Sequence, residues 1–186
     1  MRRCGVCEGV TADAQTATRY DVSTSDSSLT VDARSTLHAI KATVSGVTGY
    51  VVAAWNPDGT LASAPEPSMH VEFRLDQVRS GNSVQDREMQ KMVDAKRFPK
   101  VAADLRTIRP LAAANRYEAS GEVTLVGRAR AYSGEFTIRG QGDVVTVEGE
   151  LALDIRDFGL KPPSILILKV DPVLKARLRV LARKAA

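Results

Sequence analysis

The stretch VTVEGELALDI, residues 145–155, alternates side chains of opposite character over its whole length. Its odd positions hold Val, Val, Gly, Leu, Leu and Ile, and its even positions hold Thr, Glu, Glu, Ala and Asp. A period of two is typical of a long strand with one buried face and one solvated face. The stretch therefore predicts a strand that forms one wall of an apolar interior.

The same alternation recurs in three further stretches, residues 69–76, 117–125 and 174–182. Shorter or less regular patterns predict strands from Leu29, over 43–55 and 101–108, and over 131–140. Several long alternating strands need one shared interior, which an antiparallel barrel or sandwich supplies. The predicted fold class is therefore all-β.

One helix is predicted, over residues 84–93. Ser83 precedes it and Asp86 follows three positions later, which is the spacing of a capping box. Met89 and Met92 share its apolar face. Because the helix is short and lies between two strands, we expect it to cap one end of the barrel as an adaptable lid.

The ends of the chain differ in charge and composition. Residues 1–27 are small and polar and predict a flexible tail, so the folded domain is expected over 28–186. The basic start is not followed by an apolar run, and we expect a cytoplasmic protein without a transmembrane segment. Cys4 and Cys7 form a C-x-x-C pair, but the partners that a metal or redox site would need are not apparent, so we expect no metal and no cofactor.

The net charge of +4 is concentrated in the last strand. From Lys169 onward the chain has six basic residues and a single acidic one, an Asp, whereas the rest of the chain is almost neutral. A solvated strand face is one interpretation. Peripheral contact with an anionic membrane is the other. Nucleic acid is not an expected partner, because no recognition motif or interleaved aromatic residues accompany the charge.

Catalytic signatures are absent from the sequence. There is no nucleophile elbow, phosphate-binding loop, dinucleotide fingerprint or zinc-protease motif. His70 falls on the polar face of its strand, and His38 has no nucleophile signature beside it. Asp86, Asp154 and Asp157 are scattered along the chain. We therefore expect that the protein is not an enzyme.

Four pieces of sequence, in order, resemble the YceI-like family from about residue 28 to 182. They are VRSGN (78–82), Asp86 and Met89 followed by KRFP (96–99), GEVTLVG (121–127) and RDFGL (156–160). The resemblance implies an extended, eight-stranded, lipocalin-like antiparallel barrel whose interior binds a long amphiphile, such as an isoprenoid, an isoprenoid quinone or a fatty-acid-type lipid. The chain departs from the family pattern at Gln85, where Arg is usual, and over 127–131.

A hydrophobic small molecule is thus the expected partner, held without catalysis, and a homodimer is a further expectation. Small inward residues such as Ala103 would leave room for a lipid tail. A bulky side chain at Ala119 or Gly121 would then occupy the cavity. Two alternatives stay open, a structural interaction module with a filled core and a barrel enzyme acting on a hydrophobic substrate. The residues expected to line the cavity are Phe73, Leu75, Met89, Met92, Phe98, Tyr117, Ala119, Gly121, Val123, Leu125, Phe136, Leu151, Leu153, Phe158 and Leu160.

Overall fold

The computed structural model describes residues 16–36, 39–162, 164–165 and 168–185. Within these ranges the chain forms strands, one α-helix and two short 3-10 helices. The helix α1 is Ser83–Met92, and the 3-10 helices are Leu75–Gln77 and Ile155–Phe158. The strands are β1 Thr18–Val22, β2 Ser28–Arg34, β3 Ala39–Val44, β4 Thr48–Ala53, β5 Ser68–Arg74, β6 Val78–Arg79, β7 Lys100–Pro110, β8 Arg116–Leu125, β9 Arg128–Gln141, β10 Val144–Asp154, β11 Ser164–Ile165, β12 Leu168–Lys169 and β13 Val173–Lys184.

Eight strands form a closed antiparallel barrel in the order β1-β4-β5-β7-β8-β9-β10-β13, and β13 closes the ring by pairing with β1. β2 continues along the edge of β13 beyond β1, and β3 and β6 extend the sheet from β2. The barrel that the alternating pattern and the family resemblance predict is confirmed. No helix in the described ranges is long and apolar enough to span a bilayer.

Two expectations about the first strands are wrong. Thr18–Val22, placed in the predicted tail, is a barrel strand that pairs with both β4 and β13. The predicted strand over 43–55 is divided between β3 and β4, because the chain bends at Gly46, whose φ of +73° suits glycine. Cys4, Cys7 and His38 lie outside the described residues.

The helix starts one residue earlier than the sequence pattern indicates. Its N-cap is Asn82, whose side chain accepts hydrogen bonds from the N–H groups of Val84 and Gln85 at 3.0 and 3.3 Å. Asp86 instead accepts from the backbone N–H and the hydroxyl of Ser80. Asn is as good a cap as Ser, so the spacing alone could not choose between the two residues. Met89 and Met92 pack against the core.

The barrel interior is densely filled at the end where β9 turns into β10, which we call the closed end. The indole N–H of Trp55 donates to the hydroxyl of Tyr20 at 3.1 Å. The Tyr117 hydroxyl accepts from the N–H of Leu61 at 3.2 Å. A methyl group on Gly140 would lie 2.5 Å from the Trp55 ring, so that ring lies flat against the wall. Three inward side chains here are completely buried, namely Val145, Val180 and Ala182.

The opposite end, where β8 turns into β9 and β10 leads into Ile155–Phe158, is packed less completely. Along β13 the inward positions pass from fully buried Val180 and Ala182 to half-buried Leu174 and Ala176. Along β10 the same change separates Val145 from the half-buried inward residues near Asp154. The inward faces of β10 and β13 are therefore fully buried toward one end and half-buried toward the other, which we call the seam end, although Ile155 and Phe158 just beyond β10 are buried.

Candidate functional site

A cavity of ≈ 100 Å³ lies inside the barrel between the two ends. Five of the fifteen residues expected to line it do so, namely Ala119, Gly121, Val123, Phe136 and Leu151. Ala103, expected to face inward as a small residue, lines it too. The apolar lining residues that the sequence analysis did not single out are Met69, Val71, Leu105, Ile138, Val147 and Leu178, together with Tyr132. Most of them share the inward phase of strands already identified, so the alternation could have found them. The wall of the cavity is almost entirely hydrocarbon.

The cavity exists because the Phe136 ring lies against the wall and does not project across the centre. Gly149, directly opposite Phe136 on β10, has no side chain, and a methyl group there would overlap the Phe136 ring. Ala103 and Ala119, which also line the cavity, each carry only a methyl group. Small residues on the inner wall thus leave the interior partly empty.

Gly121 has a role different from the expected one. A methyl group on Gly121 would overlap the carbonyl oxygen of Asp104 on β7, so the glycine permits a close approach of two backbones. The approach occurs beside the β-bulge between Leu105 and Thr107. A bulky side chain at Gly121 would therefore displace β7 before it filled the cavity, and the expectation that it would occupy empty space is wrong.

The other ten predicted residues do not line this cavity. Tyr117 and Leu75 are buried in the core. Phe158 is also buried, beneath the Tyr132 ring, which stacks on it. Phe98 packs on Gly127 in the β8–β9 turn. Leu153 shares the inward face of β10 with Leu151. The remaining five residues are partly buried and pack against the core, namely Phe73, Met89, Met92, Leu125 and Leu160. A ligand contact for these residues stays a prediction.

The ladder between β9 and β10 stops beside the cavity. The ladder between these strands ends at Phe136 and Gly149. Continuing the register would place Gly134 opposite Leu151, yet the ladder does not extend over 128–135 of β9 and 150–154 of β10. Each of these segments keeps its other neighbour, β8 or β13. We call this unpaired part of the wall the seam.

Tyr132 spans the seam and also lines the cavity. Its hydroxyl donates to the Asp157 carboxylate at 2.7 Å and accepts from the Asp154 N–H at 3.3 Å. Burial, and then the hydrogen bond to Asp157, raise the pKa of Tyr132 to about 12. Hydrogen bonds from Arg156 hold the pKa of Asp154 below its usual range. A side chain thus holds the strands together where the backbone does not.

The outward charges of the C-terminal strand are paired. Arg177 contacts Asp32 at 2.7 Å and Glu150 at 3.1 Å. Arg179 contacts Glu148 at 3.1 Å. These pairs border an open polar depression of ≈ 570 Å³ on the outside of the barrel. The basic strand therefore presents less free charge than its sequence indicates.

Polar chemistry elsewhere in the described part of the chain is limited. His70 is half-buried and contacts Asp104, with 2.7 Å between Nδ1 and Oδ1, and it stacks on Tyr50. No group of three or more His, Cys, Asp or Glu residues that could hold a metal occurs among the described residues. The apolar cavity and the seam beside it are accordingly the candidate functional site.

Comparison with solved structures finds the same fold in proteins from three bacteria. BcnA of Burkholderia cenocepacia has a TM-score of 0.72 at 17% identity, covering 87% of this chain and 99% of that one. A polyisoprenoid-binding domain from Saccharophagus degradans has a TM-score of 0.65 at 11% identity, with 89% and 98% covered. The YceI protein of Campylobacter jejuni has a TM-score of 0.64 at 13% identity, with 81% and 88% covered.

No curated protein sequence matches the chain. The family model described as a YceI-like domain, however, matches residues 20–180. That range begins within β1 and ends within β13, so it includes nearly all of the barrel, with its cavity and seam. The protein belongs to the YceI-like family.

Proposed function

We propose that the barrel binds the apolar tail of a long-chain amphiphile, an isoprenoid or a fatty-acid-type lipid, and sequesters or carries it without chemistry of its own. The observation that carries the proposal is the apolar cavity beside the seam. Membership of the YceI-like family supports it, as does the likeness in fold to a domain described as polyisoprenoid-binding. Each buried CH₂ group of such a tail contributes about 0.8 kcal/mol.

The cavity volume defines how a tail would fit. A volume of ≈ 100 Å³ is below the roughly 300–1,000 Å³ of ordinary ligand sites. A long tail would therefore occupy the cavity with one part and follow the half-buried inward face, past Leu174 and Ala176, toward the seam end. Separation of β9 from β10 at the seam would enlarge the space without breaking any ladder bond.

The same volume favours a second candidate function. If no ligand enters, the barrel is a structural interaction module whose core is nearly filled. The two candidates differ in one measurable property, because only a binding barrel carries lipid away from the cell in which it was made.

Organic extraction of the purified protein followed by mass spectrometry distinguishes these candidates. We expect one long-chain amphiphile in near-stoichiometric amount, and we expect the extracted protein to take it up again. Protein that carries none, and binds none when lipid is added, would leave the structural module as the better reading. We also propose that the protein is not an enzyme and needs no cofactor. Chemical conversion of the extracted amphiphile by the protein would overturn that proposal.

Three finer expectations stay predictions. They are a cytoplasmic location, a homodimer, and peripheral contact with an anionic membrane through the outward face of β13. For the last of these, replacement of Lys175, Arg177 and Arg179 by Gln should weaken binding to anionic vesicles. Because these cations are already paired with carboxylates, the expected decrease is small.

A further inference from the structure

The seam end holds two arginines on the inner side of the barrel wall. Across the β8–β9 ladder, Arg128 lies opposite Leu125 and Arg130 lies opposite Val123, a residue that lines the cavity. Directly opposed residues in an antiparallel pair project from the same face of the sheet. The stems of both arginines therefore leave the wall on its apolar side, although both residues are exposed at this end.

Both guanidinium groups have donors available. Arg128 makes no ion pair or hydrogen bond with any described residue, and it packs over Gly159. Arg130 uses Nε to donate to the Asp157 carbonyl oxygen at 2.8 Å and Nη1 to donate to the Ala129 carbonyl oxygen at 2.9 Å. Its Nη2 has no acceptor among the described residues. A guanidinium has five N–H donors, so most of this pair's capacity is unused.

Four arginines, Arg97, Arg128, Arg130 and Arg156, stand against two carboxylates here, although the hydrogen bond from the uncharged Tyr132 hydroxyl does not neutralise Asp157. The Asp157 carboxylate accepts from Tyr132, and Asp154 is paired with Arg156. Arg97 lies over the Phe98 ring, which packs on Gly127 next to Arg128. On the outside of the barrel, by contrast, arginines such as Arg106 and Arg116 are paired with glutamates. Unpaired arginines are thus gathered where the apolar interior opens.

We infer that Arg128 and Arg130 form the head-group subsite of the barrel and select an amphiphile with an oxyanion head, a carboxylate or a phosphate, over a neutral one. The inference rests on the proposed function. The tail enters through the seam past Tyr132, and the head stays at the arginines, where charge-assisted hydrogen bonds hold it. Arg130 thereby lies at the boundary between the apolar cavity wall and the arginines that bind the head group.

The test compares three probes of equal chain length on delipidated protein, namely dodecanoate, dodecyl phosphate and dodecanol, by isothermal titration. We expect the wild type to bind one or both anions roughly tenfold more tightly than dodecanol. This preference should shrink as salt is raised, because the head stays near solvent. The ratio of the two anion affinities then tells which head the subsite prefers.

Substitutions assign the preference to these side chains. The double change Arg128→Gln with Arg130→Gln should abolish the preference for anions and leave dodecanol binding unchanged. Arg128→Gln alone should lower the preference roughly threefold. Because this change removes no hydrogen bond to a described residue, it still tests the subsite if the double variant fails to fold. Arg139→Gln is the matched control, since Arg139 lies on the outward face of the same strand without an ion pair among the described residues.

The outcomes separate two failures. Equal binding of all three probes by the wild type, or an unchanged preference in the double variant, would overturn the head-group subsite while the lipid-binding barrel stands. Absence of binding for every probe, dodecanol included, would overturn the proposed function and the subsite with it.

Discussion

The two ends of the barrel use the same device with opposite results. At the closed end Gly140 lets the Trp55 ring lie flat on the wall, and the ring is fixed by its hydrogen bond to Tyr20. At the seam Gly149 lets the Phe136 ring do the same, yet a cavity remains beside it. The difference is what faces the ring, since large or branched side chains fill the closed end and alanines face the cavity. A glycine on the inner wall thus lets an aromatic ring lie flat, and the residues around that ring decide whether the interior is filled or keeps a cavity.

The largest expected effect contrasts glycines at the two ends. Gly140→Ala should destabilise the fold by about 3 kcal/mol, because its methyl group meets an immobile ring at 2.5 Å. Gly134→Ala, whose methyl group would lie 2.8 Å from the Glu150 carbonyl oxygen across the seam, should cost roughly 1 kcal/mol, because no β9–β10 ladder holds these two segments at a fixed distance. Chemical denaturation of both variants measures the difference. Equal costs would show that the seam is as rigid as the closed end.

A second prediction fills the cavity. Ala119→Leu should raise stability by about 1 kcal/mol, because the side chain enters empty apolar space, and should lower the capacity for lipid. Ala152→Leu, on the outward face of β10, is the control and should change neither property. Melting temperature and lipid content are read on the same samples. Destabilisation by 1–3 kcal/mol would instead indicate a packed core with no usable space.

A third prediction concerns the side chain that spans the seam. Tyr132→Phe keeps the ring but removes the hydrogen bonds to Asp157 and Asp154, and it should cost about 1 kcal/mol. Hydrogen exchange of the amides over 150–154 should accelerate, as should the exchange of bound lipid. Tyr50→Phe is the control, because the Tyr50 hydroxyl has no hydrogen-bond partner among the described residues. Unchanged exchange in Tyr132→Phe would mean that the seam is closed by other contacts.

The smallest effect is a pH dependence of the same contact. The pKa of Tyr132 is raised from 10.0 to about 12, so the folded protein holds this proton more tightly than the unfolded chain. Its stabilisation is complete below about pH 10 and is lost as the pH rises through about 12. The difference in unfolding free energy between the wild type and Tyr132→Phe should therefore shrink over that window. A constant difference would contradict the assignment, since the other tyrosines titrate in both proteins.

The alternation along 145–155 and its counterparts was sufficient to predict an antiparallel barrel or sandwich and the inward phase of its strands, because the face that a strand residue occupies follows from local geometry. The family resemblance chose the barrel. β1 was missed, since Thr18–Val22 is short and lies in a polar stretch that becomes a strand only by pairing with β4 and β13. Asn82 and Ser83 are both good caps, so only the observed hydrogen bonds could decide where α1 begins.

By itself, then, the sequence determined the period of the strands, the apolar interior and the excess of basic residues in the last strand. Only the tertiary structure decided which basic residues are neutralised, since Arg177 and Arg179 of β13 meet carboxylates from other strands while Arg128 and Arg130 of β9 do not. It also decided that the β9–β10 ladder stops at Gly149, and that Gly121, besides lining the cavity, permits a close approach of two backbones. These properties depend on strand register and on side chains distant in the chain, and a local pattern contains neither.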